Sequence, residues 1–145
     1  MSPVNFVTFS VPGPPHGKGR ARSTRTGRHY TPAKTVEYEA LVSAQARLAM
    51  NGQKPFSGPV AVEMEVIHTP PQSWSKKRAT EAKNGLGGHL ATKPDLDNVA
   101  KSIGDGGNGV VWIDDSQIAA LQVVRRFADR AEVVVRVAHL ADIEL

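Results

Sequence analysis

The sequence predicts an α+β domain in which helices pack on a small mixed or antiparallel sheet. Three observations lead there: the element order β, α, β, α, α, β, β, one strongly alternating strand near the middle, and a valine-rich pair of strands at the end. A chain of 145 residues fits one domain spanning 1–145. At that size it buries roughly 68–70% of its unfolded surface and needs no covalent staple.

Taken in order, Asn5 to Val11 is a first strand, with Val7, Phe9 and Val11 alternating with Phe6, Thr8 and Ser10. Pro12, Pro14 and Pro15 end it. Residues 13–30 are rich in Gly, Pro and Arg, have no periodicity, and are expected to be a loop. Thr31-Pro32 signals a helix start, with Thr31 as N-cap and Pro32 at the first helical position. Val36, Ala40, Leu41, Ala44 and Leu48 mark one helical face, and Asn51-Gly52 closes it. Val60, Val62, Met64 and Val66 then alternate with Ala61, Glu63, Glu65 and Ile67, the clearest half-buried strand in the chain.

Ser75 to Lys83 reads as a short polar helix ended by Asn84-Gly85, and residues 84–92 as a mobile loop. A helix is expected from Pro94 to about Asp105, with Leu96, Val99, Ala100 and Ile103 as its apolar stripe. A strand is expected to begin near Asp114-Asp115. Gln117 to Phe127 and Ala131 to Ala138 read as an antiparallel hairpin turning at Ala128-Asp129-Arg130.

The chain has no cysteine, which excludes a disulfide scaffold, Cys-ligated zinc, an iron–sulfur cluster and a thiol nucleophile. No apolar run approaches a membrane span, and the first residues show no basic segment ahead of an apolar core. The expectation is therefore no membrane and a cytoplasmic protein. Eighteen Lys and Arg against fourteen Asp and Glu give a net charge of +4, compatible with a polyanionic partner.

Charge distribution says more than its sum. Lys18, Arg20, Arg22, Arg25 and Arg28 fall in GKGRARSTRTGRH with no acid among them, whereas five of the seven aspartates lie between Asp95 and Asp115. A solvated loop explains the first cluster as well as phosphate contact does. In the acidic segment, Asp95 and Asp97 are two residues apart. On extended backbone they would face one way and share a cation. Asp97, Lys101 and Asp105 follow i, i+4, i+8 on a helix. Asp114-Asp115 joins them if the chain folds back after the Gly106–Gly109 turn.

Carboxylates gathered in this way repel one another, and a cation relieves that repulsion. All-oxygen ligands favour Mg2+ or Mn2+ over zinc or copper, and Mg2+ with a few carboxylates and a substrate phosphate suits phosphodiester chemistry. Lys101 would carry charge to the same phosphate. Each feature also has a structural explanation: Asp97 as a helix N-cap, Asp97–Lys101 as a surface ion pair, Asp114-Asp115 as a turn.

The pattern KPDLDN…K…D…NG…DDSQI, Lys93 to Ile118, resembles the RusA family of Holliday-junction resolvases of bacteria and their phages. The likeness extends to the Pro-Gly-Pro-Pro after the first strand, to HYTPAKTVEYE at the long helix and to the C-terminal strands. It implies a small homodimer in a bacterial or phage-infected bacterial cell. Such a dimer would bind branched DNA, the four-way junction, and make paired symmetric nicks with Mg2+ or Mn2+. The implied metal-holding catalytic acids are Asp95, Asp97 and Asp115, with Lys101 as the catalytic lysine; beside them, the charge run from Lys18 to Arg28 is read as a DNA-gripping arm. Asn98, Asp114 and Gln117 also match the family pattern. The run Gly104-Asp105-Gly106-Gly107-Asn108-Gly109 departs from the family's usual L-D-A-L-N-G, and each helix-interior Gly costs ~0.8–1.0 kcal/mol relative to Ala. From other classes come a branched- or single-stranded-DNA-binding protein that does not cut, and a metal-dependent phosphotransferase acting on a small substrate.

Overall fold

A computed structural model describes residues 5–19, 22–85 and 93–144. A four-stranded sheet has the order β1-β6-β4-β5, built from β1 (Val7–Pro12), β4 (Val60–His68), β5 (Ile118–Phe127) and β6 (Glu132–His139). β6 is antiparallel to both β1 and β4, while β5 runs parallel to β4 along the outer edge. The helices α1 (Ala33–Met50) and α3 (Leu96–Gly106) pack on one face of this mixed sheet, and α2 (Lys76–Lys83) touches the far end of β5. The architecture is the expected α+β domain. Among the described residues no helix is long and apolar enough to cross a membrane.

Alternation builds the core. Val7, Phe9 and Val11 of β1 stand opposite Val137, Val135 and Val133 of β6, which stand opposite Val62, Met64 and Val66 of β4. Apart from half-buried Val7, these side chains are buried against Tyr38, Val42, Ala46 and Met50 of α1 and Val99 and Ile103 of α3. Full burial of each is worth about 1.5–3 kcal/mol relative to exposure. β4 is more central than its alternation suggested, since Ala61 and Ile67, on its other face, are buried too.

Several expectations need correction. The final two strands are not a hairpin: β4 lies between them, pairing with β5 on one side and β6 on the other. Valine alternation fixes which face of a strand is buried but carries no information about its neighbour, and the link from Phe127 to Glu132 is long enough to step over one strand. Residues 13–30 are not all loop. β2 (Arg22–Ser23) and β3 (His29–Tyr30) pair antiparallel around a turn closed by Gly27 N–H donating to Thr24 O at 3.0 Å.

Thr31 does not cap α1. Pro32 is the N-cap, with no side-chain bond, and its carbonyl accepts from Thr35 and Val36 N–H. At the other end Asn51, at φ 48°, and Gly52, at φ 80°, close the helix as expected. The apolar stripe read on α1 is mostly exposed, with only Leu41 of it packed partly against the core. Val36 is 53% and Leu48 75% exposed, while Thr35, Tyr38, Val42, Ala46 and Met50 face inward. Apolar residues nearly encircle α1, so periodicity alone cannot choose its face. The polar helix α2 forms where expected, with Ser75 Oγ accepting from Arg78 N–H at 3.1 Å. Asp114-Asp115 opens a single 3-10 turn (Asp115–Gln117) rather than the strand, which begins at Ile118.

The glycine run turns out to be a packing device. A Cβ on Gly106 would fall 2.6 Å from Val42 Cβ, and one on Gly107 2.8 Å from the Trp112 ring. Their bareness lets α3 reach Gly106 while lying against α1, and it lets the buried Trp112 indole donate to Gly104 O at 2.9 Å.

Candidate active site

The end of the acidic segment folds back on its beginning. Asp97, Ala100, Lys101 and Gly104 of α3 face Asp115, Ile118, Ala119 and Leu121 across an open hollow of about 330 Å³. Asp97 and Lys101 are one helical turn apart, so both point from the same side of α3. Asp115 comes from the 3-10 turn that feeds β5. A Cβ on Gly104 would stand 3.3 Å from Asp115 Cβ and 3.4 Å from its Oδ2, so the missing side chain is what admits this carboxylate close to α3.

Gln117 fixes the turn that carries Asp115. Its Oε1 accepts from the N–H groups of Ile113 (2.8 Å) and Asp114 (3.2 Å). Its Nε2 donates to Phe56 O (2.8 Å) and Gly58 O (2.9 Å), ahead of β4. Asp114 completes the capping box by accepting from Ser116 N–H at 3.1 Å. Those Ser116 hydrogen bonds, then the charge of Lys101, hold its carboxyl below the usual range. Asp114 and Gln117 thus shape the turn, and Asp115 alone of the DDSQ run lines the hollow.

Asp95 stands apart. It is the N-cap of α3 in position, yet its side chain makes no capping bond. Its carboxylate lies 3.9 Å from Lys93 Nζ and exerts an attraction on Arg125. Arg125, on β5, donates to the carbonyl of Pro94, whose peptide bond with Lys93 is cis. The hollow therefore gathers Asp97, Lys101 and Asp115 but not Asp95. Among the described residues no group of three acids, imidazoles or thiols is close enough to hold a metal ion unaided.

Asp105 is turned the other way. With Glu39 it grips Lys18, whose Nζ lies 2.5 Å from Asp105 Oδ2 and 2.9 Å from Glu39 Oε1. Burial draws the Lys18 pKa down, but hydrogen bonds and charge from Asp105 and Glu39 outweigh it and leave the pKa raised. Lys18 N–H also donates to Asn98 O at 3.0 Å, and a Cβ on Gly17 would fall 2.8 Å from Pro94 Cβ. The start of the basic arm is thus fastened beside the acidic segment. Arg25 and Arg28 are exposed on the β2–β3 hairpin. Arg22 opens β2, and Arg20 lies outside the described residues, as does most of the loop read at 84–92.

With this geometry in hand, comparison with known proteins is decisive. The family described as Endodeoxyribonuclease RusA matches residues 12–138. The chain belongs to the RusA endodeoxyribonuclease family. A relative named "Uncharacterized protein YqaN", from Bacillus subtilis (strain 168), is 36% identical over 143 residues, covering 92% of this chain and 97% of its own.

Sequence reasoning named the acids and Lys101 but missed the parts that position them. Gln117 was legible only as a member of the pattern, and Gly104 only as a departure from it. Arg125 sits in a strand stretch with no signal of its own.

Proposed function

We propose that this RusA-family protein is a Mg2+-dependent (Mn2+ also serving) endonuclease that resolves four-way DNA junctions by paired symmetric nicks, in recombination and repair. The observation that carries the reading is the convergence of Asp97, Lys101 and Asp115 on one open hollow. Mg2+ commonly takes one or two carboxylates, keeps several waters and uses a substrate phosphate to complete its octahedron. Two carboxylates on a solvent-open hollow fit that need. Asp97 and Asp115 would hold the ion, and Asp95, whose carboxylate the helix does not use, would join once DNA is bound. Such a cation, when bound, polarises the phosphoryl group and lowers the pKa of an attacking water.

The chain's own residues do the rest. Lys101 places its ammonium where charge builds on the transferring phosphate or its leaving group. Gln117 and Gly104 keep Asp115 at α3. The arm at Lys18, Arg20, Arg22, Arg25 and Arg28 grips backbone phosphates. Arg25 and Arg28 are the exposed cations of that grip, and Lys18 anchors it through Glu39 and Asp105. A homodimer brings two hollows to two strands.

Incubating a labelled four-way junction with the protein and Mg2+, with and without EDTA, tests the reading. Nicking that EDTA abolishes supports it. Tight binding with no cutting in Mg2+ or Mn2+ would make the protein a branched-DNA binder. Neither binding nor cutting would turn attention to a small phosphorylated substrate.

A further inference from the structure

α2 opens on three consecutive exposed cations, Lys76, Lys77 and Arg78, with no acid in its first turn. That is the end of a helix where positive charge is disfavoured by the helix dipole. Neither Lys76 nor Lys77 forms an ion pair with a described residue, including Glu81 one turn beyond Lys77. At the other end of the helix, by contrast, Lys83 is paired with Asp129 at 2.8 Å. Charge held against the local preference of a helix start is a local conflict of the kind function maintains.

The start of α2 adjoins the far end of the strand that borders the hollow. Strand alternation puts Leu121, Val123, Arg125 and Phe127 of β5 on the face that α1 and α3 cover, because they stand opposite Val62, Met64, Val66 and His68. Leu121 lines the hollow, while Phe127 meets the Trp74 ring edge-on at 5.4 Å just ahead of α2. Six residues of strand span on the order of 20 Å. At about 3.4 Å per base pair that separation is roughly six base pairs of duplex.

We propose that Lys76, Lys77 and Arg78 form a second phosphate-binding patch, which holds a duplex arm of the DNA about 20 Å from the hollow. The inference rests on the nuclease reading above and extends it to a surface outside the basic arm. The occupant is duplex backbone rather than unpaired bases. Single-strand binding uses open aromatic platforms, and here the Trp74 ring is already occupied, with the Arg78 guanidinium 3.9 Å over its centroid and Phe127 at its edge.

The test is the salt dependence of binding without cleavage, in EDTA, for a four-way junction, a linear duplex and a single strand. Each phosphate contact on duplex contributes about 0.9 to the slope of log K against log salt. The double variant Lys76→Ala/Lys77→Ala should flatten the slope by about 1.8 on both the junction and the linear duplex. Its thermal midpoint should hold or rise, since alanine suits a helix and like charges are gone. The matched pair Lys34→Ala/Lys54→Ala removes the same net charge elsewhere and should leave the slope unchanged. An unaltered slope in the α2 variant, equal flattening by the control pair, or flattening confined to single strands would each overturn the proposal. A wild-type protein that binds neither junction nor duplex would overturn the nuclease reading itself.

Discussion

Asp95 and Asp97 are two residues apart, yet they do different work. Asp95 holds the N-cap position without capping, and Asp97 sits in the first turn of α3 with its side chain on the hollow. The cap explanation therefore does not apply to Asp97, whose contribution to stability is its interaction with the helix dipole, ~0.3–1 kcal/mol. Asp97→Asn should leave the metal-free thermal midpoint within a few degrees of wild type and abolish cleavage by orders of magnitude. Asp129→Asn serves as the control. Its carboxylate is held below the usual range by the hydrogen bond from Lys83, far from the hollow, so cleavage should be unaffected. Normal cutting by folded Asp97→Asn would remove that residue from the mechanism.

Tyr38 gives a pH prediction at the same scale. Its hydroxyl is buried without a hydrogen-bond partner among the described residues, and burial, opposed by the His16 backbone, pushes its pKa up to about 12. A pKa raised on folding contributes stability below the unfolded value, ~10, that is lost as pH climbs through about 12. Tyr38→Phe removes both the titration and the unsatisfied hydroxyl. Thermal midpoints measured from pH 7 to 11.5 should show the variant at least as stable as wild type at neutral pH, with a shallower decline above pH 10. Part of the decline should remain, because Lys18 is raised above 10.5 by its two carboxylates and loses its stabilising charge in the same region. Equal declines in both proteins would show that Tyr38 does not govern alkaline stability.

At the scale of elements, α1 and α3 meet where a side chain is missing. Gly106→Ala would drive a Cβ to 2.6–2.7 Å from the Val42 Cβ and Cγ1 atoms. Overpacking costs typically ~1–3 kcal/mol, only partly offset by the ~1 kcal/mol helix preference of alanine. Urea unfolding should report a net loss of up to about 2 kcal/mol, relieved when Val42→Ala is added, since the two sites are coupled. A stabilised Gly106→Ala would mean that α1 is free to move away.

The same contact shows why some elements were legible in the sequence and others were not. α3 could be read because Leu96, Val99, Ala100 and Ile103 make one stripe, and β4 because its valines alternate. The face of α1 could not, because Val36, Leu41 and Leu48 compete with Tyr38, Val42 and Met50. What decides is Gly106, 64 residues beyond Val42 in sequence and on another helix. The order of strands was equally hidden, since the pairing of β4 with both β5 and β6 is a long-range choice that local alternation does not encode. Within the candidate site, the acids and Lys101 could be read from type and spacing. Their separation could not: that Asp105 turns to Lys18 while Asp115 turns to Asp97 depends on which side of α3 the basic arm and the 3-10 turn approach.

For the whole molecule, charge is sorted into an arm, a second basic helix end and a pair of acids around one lysine. On the proposed reading, one hollow per chain would cut one strand at a time, so resolving a junction would call for two copies. Two-fold symmetry is the commonest closed assembly and suits a four-way substrate. Light scattering at micromolar concentration should give twice the chain mass of 15.6 kDa, free or on DNA. A monomer in both states would contradict paired cutting. The most direct test of the central claim maps the nicks strand by strand on a four-way junction in Mg2+, for wild type and for Asp115→Asn. Wild type should leave two nicks at symmetry-related positions in opposing strands, while Asp115→Asn should bind the junction and leave none. Undiminished nicking by folded Asp115→Asn would contradict the claim that this hollow is where the DNA is cut.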